Sequence, residues 1–201
     1  MDGLRIGVPR EAIANVDSVV LDAFERALQL LASSGATIVN NVKFSSIKEW
    51  DEWEPACKRV CLQAEFKNSI ENWLQHLVEN PNNIHTLNDL IDFTKSDPRE
   101  CYPERDIQRW EWIQGGPEYG SIKYQESLNK MYRLAGEQGM LGAMERYALD
   151  MVVHPTNTDP TTTFTARLGL PAITVPLGFY PEDTKLVSHR GNIFNVAPHV
   201  P

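Results

Sequence analysis

The densest run of chemically useful side chains is Pro155-Thr156-Asn157-Thr158-Asp159-Pro160-Thr161-Thr162-Thr163, preceded by His154 and the apolar Met151-Val152-Val153. Hydroxyls, an amide and a carboxylate gathered in one loop can hold a polar small molecule by hydrogen bonds. His154 closes the apolar run and could exchange a proton near neutral pH. A structural hydrogen bond is the simpler role for it. Ser33-Ser34-Gly35 is a second candidate, but a nucleophilic serine needs a base within reach and donors for an oxyanion. Neither is suggested nearby, and Gly35 suits the left-handed position just past a helix end. Cys57 and Cys61 stand four apart. No further Cys or His among Cys101, His76, His85, His154, His189 and His199 supplies a recognised metal spacing, so no metal is assigned. The two cysteines read as small apolar side chains.

Charge and composition narrow the partners. The net charge is −8 and the pI about 5.1, which argues against nucleic acid and anionic membranes, since both need a basic footprint. On that ground Trp50, Trp53, Trp110 and Trp112 read as core and rim residues rather than a base-stacking platform. No window approaches the roughly 20 apolar residues of a membrane span. Three cysteines, with no Asn-x-Ser/Thr acceptor, point to a reduced, cytoplasmic setting.

The elements that must position the loop follow from periodicity. Leu4, Ile6 and Val8 alternate as a strand that Pro9 ends. Asp17 or Ser18 caps a helix whose apolar stripe is Val20, Phe24, Ala27, Leu28 and Leu31. Ala36-Thr37-Ile38-Val39 is a second strand, so residues 1–40 form a βαβ unit with parallel strands. Residues 41–147 read as mainly helical. Leu62, Phe66, Ile70, Trp73, Leu74 and Leu77 keep helical spacing until Asn80-Pro81. Helices are expected at 84–93, in a short segment at 107–113, and from 121 to 134, with Gly136 and Gly139 as interruptions. Residues 148–201 return to strands, at Met151-Val152-Val153 and at the alternating Ile173, Val175 and Leu177. Residues 156–163 read as a polar loop, and the tail from 187 onward has no clear period.

Three of these segments resemble the amidase-signature family, and its fungal-type members in particular. Gly3-Leu4-Arg5-Ile6-Gly7-Val8-Pro9-Arg10 resembles the strand that opens the second half of those enzymes. Leu87-Asn88-Asp89-Leu90-Ile91-Asp92-Phe93 and Tyr102-Pro103-Glu104-Arg105-Asp106 are similar to their helical insert. Leu149-Asp150-Met151-Val152-Val153-His154-Pro155-Thr156-Asn157, followed by Leu168-Gly169-Leu170-Pro171-Ala172-Ile173-Thr174-Val175-Pro176-Leu177-Gly178-Phe179, is similar to a pocket-lining loop and late strand.

The resemblance implies an α/β fold, a mixed, mainly parallel sheet with flanking helices and a helical insert. It implies carboxamide hydrolysis through a serine acyl-enzyme, with no metal or organic cofactor. The family's lysine and Gly-Gly-Ser-Ser-Gly-type stretch belong to its first half, so no catalytic residue is carried over; Ser33-Ser34-Gly35 only mimics that stretch. Thr156, Asn157, Thr158 and Asp159 map to the pocket border and are the expected substrate-binding residues. The expectation is a truncated amidase, inactive alone, with a small-molecule amide as ligand. The alternative is a non-catalytic subunit, joined to a separately encoded half or to a second copy through an incomplete sheet. A coding sequence drawn too short is the third reading.

Overall fold

The alternation at the start of the chain becomes strand β1, Arg5–Val8, whose Ile6 and Val8 are fully buried. The computed structural model describes residues 1–156, 158–189 and 193–196. Asp17 caps helix α1, Ser18–Ser33, its carboxylate accepting from the Val19 amide at 2.8 Å. Gly35 leaves the helix end with φ of 96°, a conformation a side chain would strain. Strand β2, Thr37–Asn40, then runs parallel to β1 in the register Arg5 to Thr37 through Val8 to Asn40. Phe24 and Leu28 bury one face of α1 against Val8 and Ile13. Each such side chain stabilises the unit by about 1.5–3 kcal/mol.

Residues 49–131 form a compact unit of their own. The sequence did not announce its first two helices, α2, Ile47–Glu52, and α3, Pro55–Lys58, since both are too short to show a period. Helix α4, Val60–Gln75, buries Cys61, Ala64 and Leu74. Its expected stripe is only partly a core face, for Trp73 is 60% exposed. Cys57 lies on α3 and Cys61 on α4, so the pair does not share one helix face. Trp50 and Trp53 are buried edge-to-face, with ring centroids 5.8 Å apart. Lys58 lies over the first ring at 4.8 Å and Lys130 over the second at 5.2 Å.

Helix α5, Leu87–Ser96, begins three residues later than its apolar pattern because Thr86 and Asp89 form a capping box. The Asp89 carboxylate accepts from the His85 and Thr86 amides, and those bonds hold its pKa below the ordinary value. Helix α6, Gln108–Gln114, brings Ile113 to Leu87, Ile91 and Ile107, with Trp110 and Trp112 packed half-buried around them. Helix α7, Ile122–Met131, buries Tyr124 on Cys61 and Ala64. Burial, and a 3.1 Å bond to the Glu65 carboxylate, push the Tyr124 phenol pKa up.

The remaining elements rejoin β1. A π-helical stretch, Tyr132–Glu137, carries Gly136 within it, so the break falls at Gly139 alone. Helix α8, Met140–Arg146, follows, and strand β3, Met151–Val152, pairs parallel with β1 at Ile6 and Gly7. The sheet order is β2-β1-β3, with all its strands parallel. Helix α9, Thr161–Leu168, comes next; after it β4, Val187–His189, and β5, Ile193–Val196, pair antiparallel. Two expectations fail here. Residues 161–163 are helix rather than loop, since Phe164 anchors them in the core. Ile173, Val175 and Leu177 form no strand, because no described strand pairs with them.

Candidate functional site

The polar loop is suspended between the end of β3 and the start of α9, and threonine hydroxyls hold it at both ends. Pro155 and Thr158 are buried, while Thr156 and Asp159 are exposed. Thr158 is 3% exposed, and its hydroxyl donates to the Pro155 carbonyl at 2.9 Å. Thr162 donates its hydroxyl to the Thr156 carbonyl at 2.6 Å and its amide to the Thr158 carbonyl at 2.9 Å. The Asp159 carboxylate accepts from the Thr163 hydroxyl. Asn157 lies outside the described residues.

The hydroxyl of Thr158 has one hydrogen, which goes to Pro155. His154 Nδ1, 2.7 Å from Thr158 Oγ1 and 2.8 Å from the Pro155 carbonyl, must therefore carry a hydrogen and donate. Nε2 is then the acceptor of the neutral ring. Burial pushes the His154 pKa down, opposed by the Pro155 carbonyl bond. The unfolded chain takes up the proton near its ordinary value of about 6.5, whereas the folded one resists. Stability should fall as pH drops below about 6.5, and the loss should end below the folded pKa. An NMR titration of His154 should find its midpoint under that of an unfolded peptide. A midpoint at or above the peptide value would contradict the burial argument.

Next to the loop, within the unit formed by residues 1–48 and 132–201, runs a groove of about 730 Å³. One wall is the start of α1, through Asp17, Val20 and Ala23; the other is residues 174–180, with Pro155 and Thr156 at one side. Burial and the Asp17 carboxylate push the Tyr180 phenol pKa up. Of the expected binding residues, the structure brings Thr156 to this groove. Thr158 turns inward, and Asp159 faces solvent without lining it. The α1 residues were read from sequence only as a cap and an apolar stripe; an extra apolar position, Val19, 39% exposed outside that stripe, was the available signal.

The other sequence candidates take structural roles. Ser33 and Ser34 both donate their hydroxyls to the Leu30 carbonyl, at 2.9 and 2.8 Å, and so close α1. Among the described residues no group of three or more His, Cys, Asp or Glu is arranged to hold a metal ion. No described helix is long and apolar enough to cross a membrane.

No protein-family model matches the chain. A protein of Arthroderma benhamiae named "Putative amidase" is 36% identical over 204 residues, covering all of this chain and 34% of the relative. Among solved structures, native peptide amidase from Stenotrophomonas maltophilia matches 89% of this chain and 37% of its own, with a TM-score of 0.71 and 22% identity. An amidase family protein from Bacillus anthracis str. Ames matches 89% of this chain and 32% of its own, with a TM-score of 0.66 and 15% identity. At such identities the structural likeness establishes the fold, while the sequence match runs the whole length of the chain. The chain spans about a third of the length of these relatives. Over the third of their length that it spans, the chain has the α/β fold of these amidases, and its sequence is similar from end to end to that of the Arthroderma benhamiae protein.

Proposed function

We propose that the chain is the scaffold and pocket-bordering portion of a carboxamide hydrolase, and that it turns over no amide alone. The observation that carries this reading is the end-to-end match to the Arthroderma benhamiae protein, set beside the absence of a Gly-Gly-Ser-Ser-Gly-type stretch from residues 1–201. Hydrolysis through a serine acyl-enzyme needs the nucleophile, a proton relay and oxyanion donors together. Ser33 and Ser34, whose hydroxyls are held by the Leu30 carbonyl, supply none of these. The part assigned to this chain is substrate contact through Thr156 and Asn157, with Thr158 and Asp159 holding the loop through their bonds to Pro155 and Thr163. Cys57, Cys61 and Cys101, none of them in a disulfide, favour a reducing, cytoplasmic setting.

The test has two arms. The isolated 201-residue chain, assayed on simple carboxamides, should show no turnover. A chimera in which this chain replaces the matching third of the Arthroderma benhamiae protein should hydrolyse amides. Thr156→Ala in that chimera should raise KM about tenfold, the size expected for one lost hydrogen bond of roughly 1.4 kcal/mol. Hydrolysis by the isolated chain would overturn the reading, and so would a folded chimera with none.

A further inference from the structure

A second cavity, of about 310 Å³, lies within the 49–131 unit and is lined from Thr94 of α5 to Trp110 of α6. Its lining carries charges of both signs that do not pair with each other. Arg105 and Arg109 form no ion pair with a described residue, and the Arg109 guanidinium lies over the Trp112 ring at 5.9 Å. Asp106 accepts only the Gln108 amide, at 3.1 Å. Glu100 makes no side-chain hydrogen bond with a described residue, though its charge acts on Arg99. Arg99 itself is engaged, donating Nε and Nη2 to the Asp97 carboxylate at 2.9 and 2.6 Å. The uncommitted groups are therefore the guanidiniums of Arg105 and Arg109 and the carboxylates of Glu100 and Asp106, which sum to zero.

An independent sign of a ligand is the hydroxyl of Thr94. This residue lines the pocket yet is only 4% exposed, and its hydroxyl makes no hydrogen bond with a described residue. A threonine inside a helix commonly donates to the carbonyl three or four residues back. At Thr94 that donor is spare, and a buried hydroxyl left unpaired is unfavourable until something accepts from it.

We propose that this pocket binds a small zwitterion, an α-amino carboxylate with an apolar side chain. Its carboxylate meets the forked donors of Arg105 and Arg109 and accepts from the Thr94 hydroxyl. Its ammonium faces Glu100 and Asp106. Its side chain lies on buried Ile107 and the half-buried ring of Trp110. Other ligand classes fit less well. A plain anion would face two carboxylates, a plain cation two guanidiniums, and a neutral molecule would desolvate all four without recompense. The volume is at the small end of the roughly 300–1,000 Å³ of ligand pockets, which limits the guest to a few heavy atoms beyond its charged groups.

The site involves no hydrolysis, so it stands or falls apart from the amidase reading. L-phenylalanine, 3-phenylpropionate and phenethylamine share one ring and differ only in their charged groups. Each is titrated into the 201-residue chain, with the amide resonances of Thr94, Arg105 and Arg109 as the readout. Phenylalanine should shift all three saturably and bind about tenfold or more tighter than either single-charge analogue. Arg105→Gln should cost phenylalanine about tenfold and leave phenethylamine unchanged. Arg105 is exposed, so the fold tolerates that change. Thr94→Val, close in shape, should weaken phenylalanine binding without lowering the stability of the unit, since the hydroxyl it removes has no partner to lose. The same titration in the chimera decides the matter should the isolated chain fail to fold. Equal binding of 3-phenylpropionate would overturn the inference in favour of a plain anion site, and equal binding of phenethylamine in favour of a cation site. Phenylalanine shifts that do not saturate, or that survive Arg105→Gln unchanged, would overturn it outright.

Discussion

Phe164→Ala should destabilise the strand-bearing unit by about 3–5 kcal/mol, the range for truncating a fully enclosed aromatic ring. Phe164 is 0% exposed and meets Phe44 edge-on, with centroids 5.5 Å apart and planes at 60°. Two effects add. Transfer of the lost ring atoms accounts for roughly 2–3 kcal/mol, and the unfilled cavity with the broken aromatic pair contributes the rest. The consequence reaches the candidate site, because α9 carries the bonds from Thr162 to the carbonyls of Thr156 and Thr158.

The readout has to be chosen with care. All five tryptophans, at positions 50, 53, 73, 110 and 112, lie in the 49–131 unit, so tryptophan emission does not report on this change. Amide exchange at Ile6 and Val8 of β1 does, and should quicken by about a hundredfold or more. Phe164→Leu, which refills part of the space, should lose less. An exchange change under tenfold for Phe164→Ala would mean that α9 is not anchored in that core.

How much of this architecture the sequence disclosed depended on whether the deciding force was local. β1, α1 and β2 were legible because alternation, the Asp17 cap and Gly35 all act within a few residues of the structure they cause. Residues 161–163 were misread because three threonines with a preceding proline look like a loop. Their helix is decided by burial of Phe164, a tertiary effect. The stripe on α4 was over-read for the same reason: spacing marks which residues share a face, not whether anything packs on that face, and Trp73 remains exposed. For the site, composition singled out the polar loop beside the groove but could not tell the inward hydroxyl of Thr158 from the outward position of Thr156. That distinction is made by one hydrogen bond to Pro155. The groove wall on α1 was hidden because its residues carry no distinctive chemistry.

Gly142→Ala should destabilise the same unit, against the usual sign for a helix. In an ordinary helix interior the change gains about 1 kcal/mol, since alanine has less backbone freedom to lose. Gly142 sits inside α8, but the π-helical stretch before it brings the Glu137 carbonyl across the helix face. A β-carbon on Gly142 would lie 1.7 Å from the Glu137 oxygen and 2.8 Å from its carbon. Those atoms are backbone and cannot rotate away as a side-chain tip can, so the chain must shift, at about 1–3 kcal/mol or more. Gly136 is the internal comparison. It lies within the π-helical stretch, and a β-carbon there would meet only side-chain tips, Leu168 at 3.4 Å and Leu141 at 3.8 Å. Gly136→Ala should therefore be neutral or gain up to about 1 kcal/mol. Urea denaturation followed by exchange at β1 amides should separate the two variants by at least 1 kcal/mol, with Gly142→Ala the weaker. Equal stability would mean that the Glu137 carbonyl does not lie across α8, and that the junction at Gly139 is built differently.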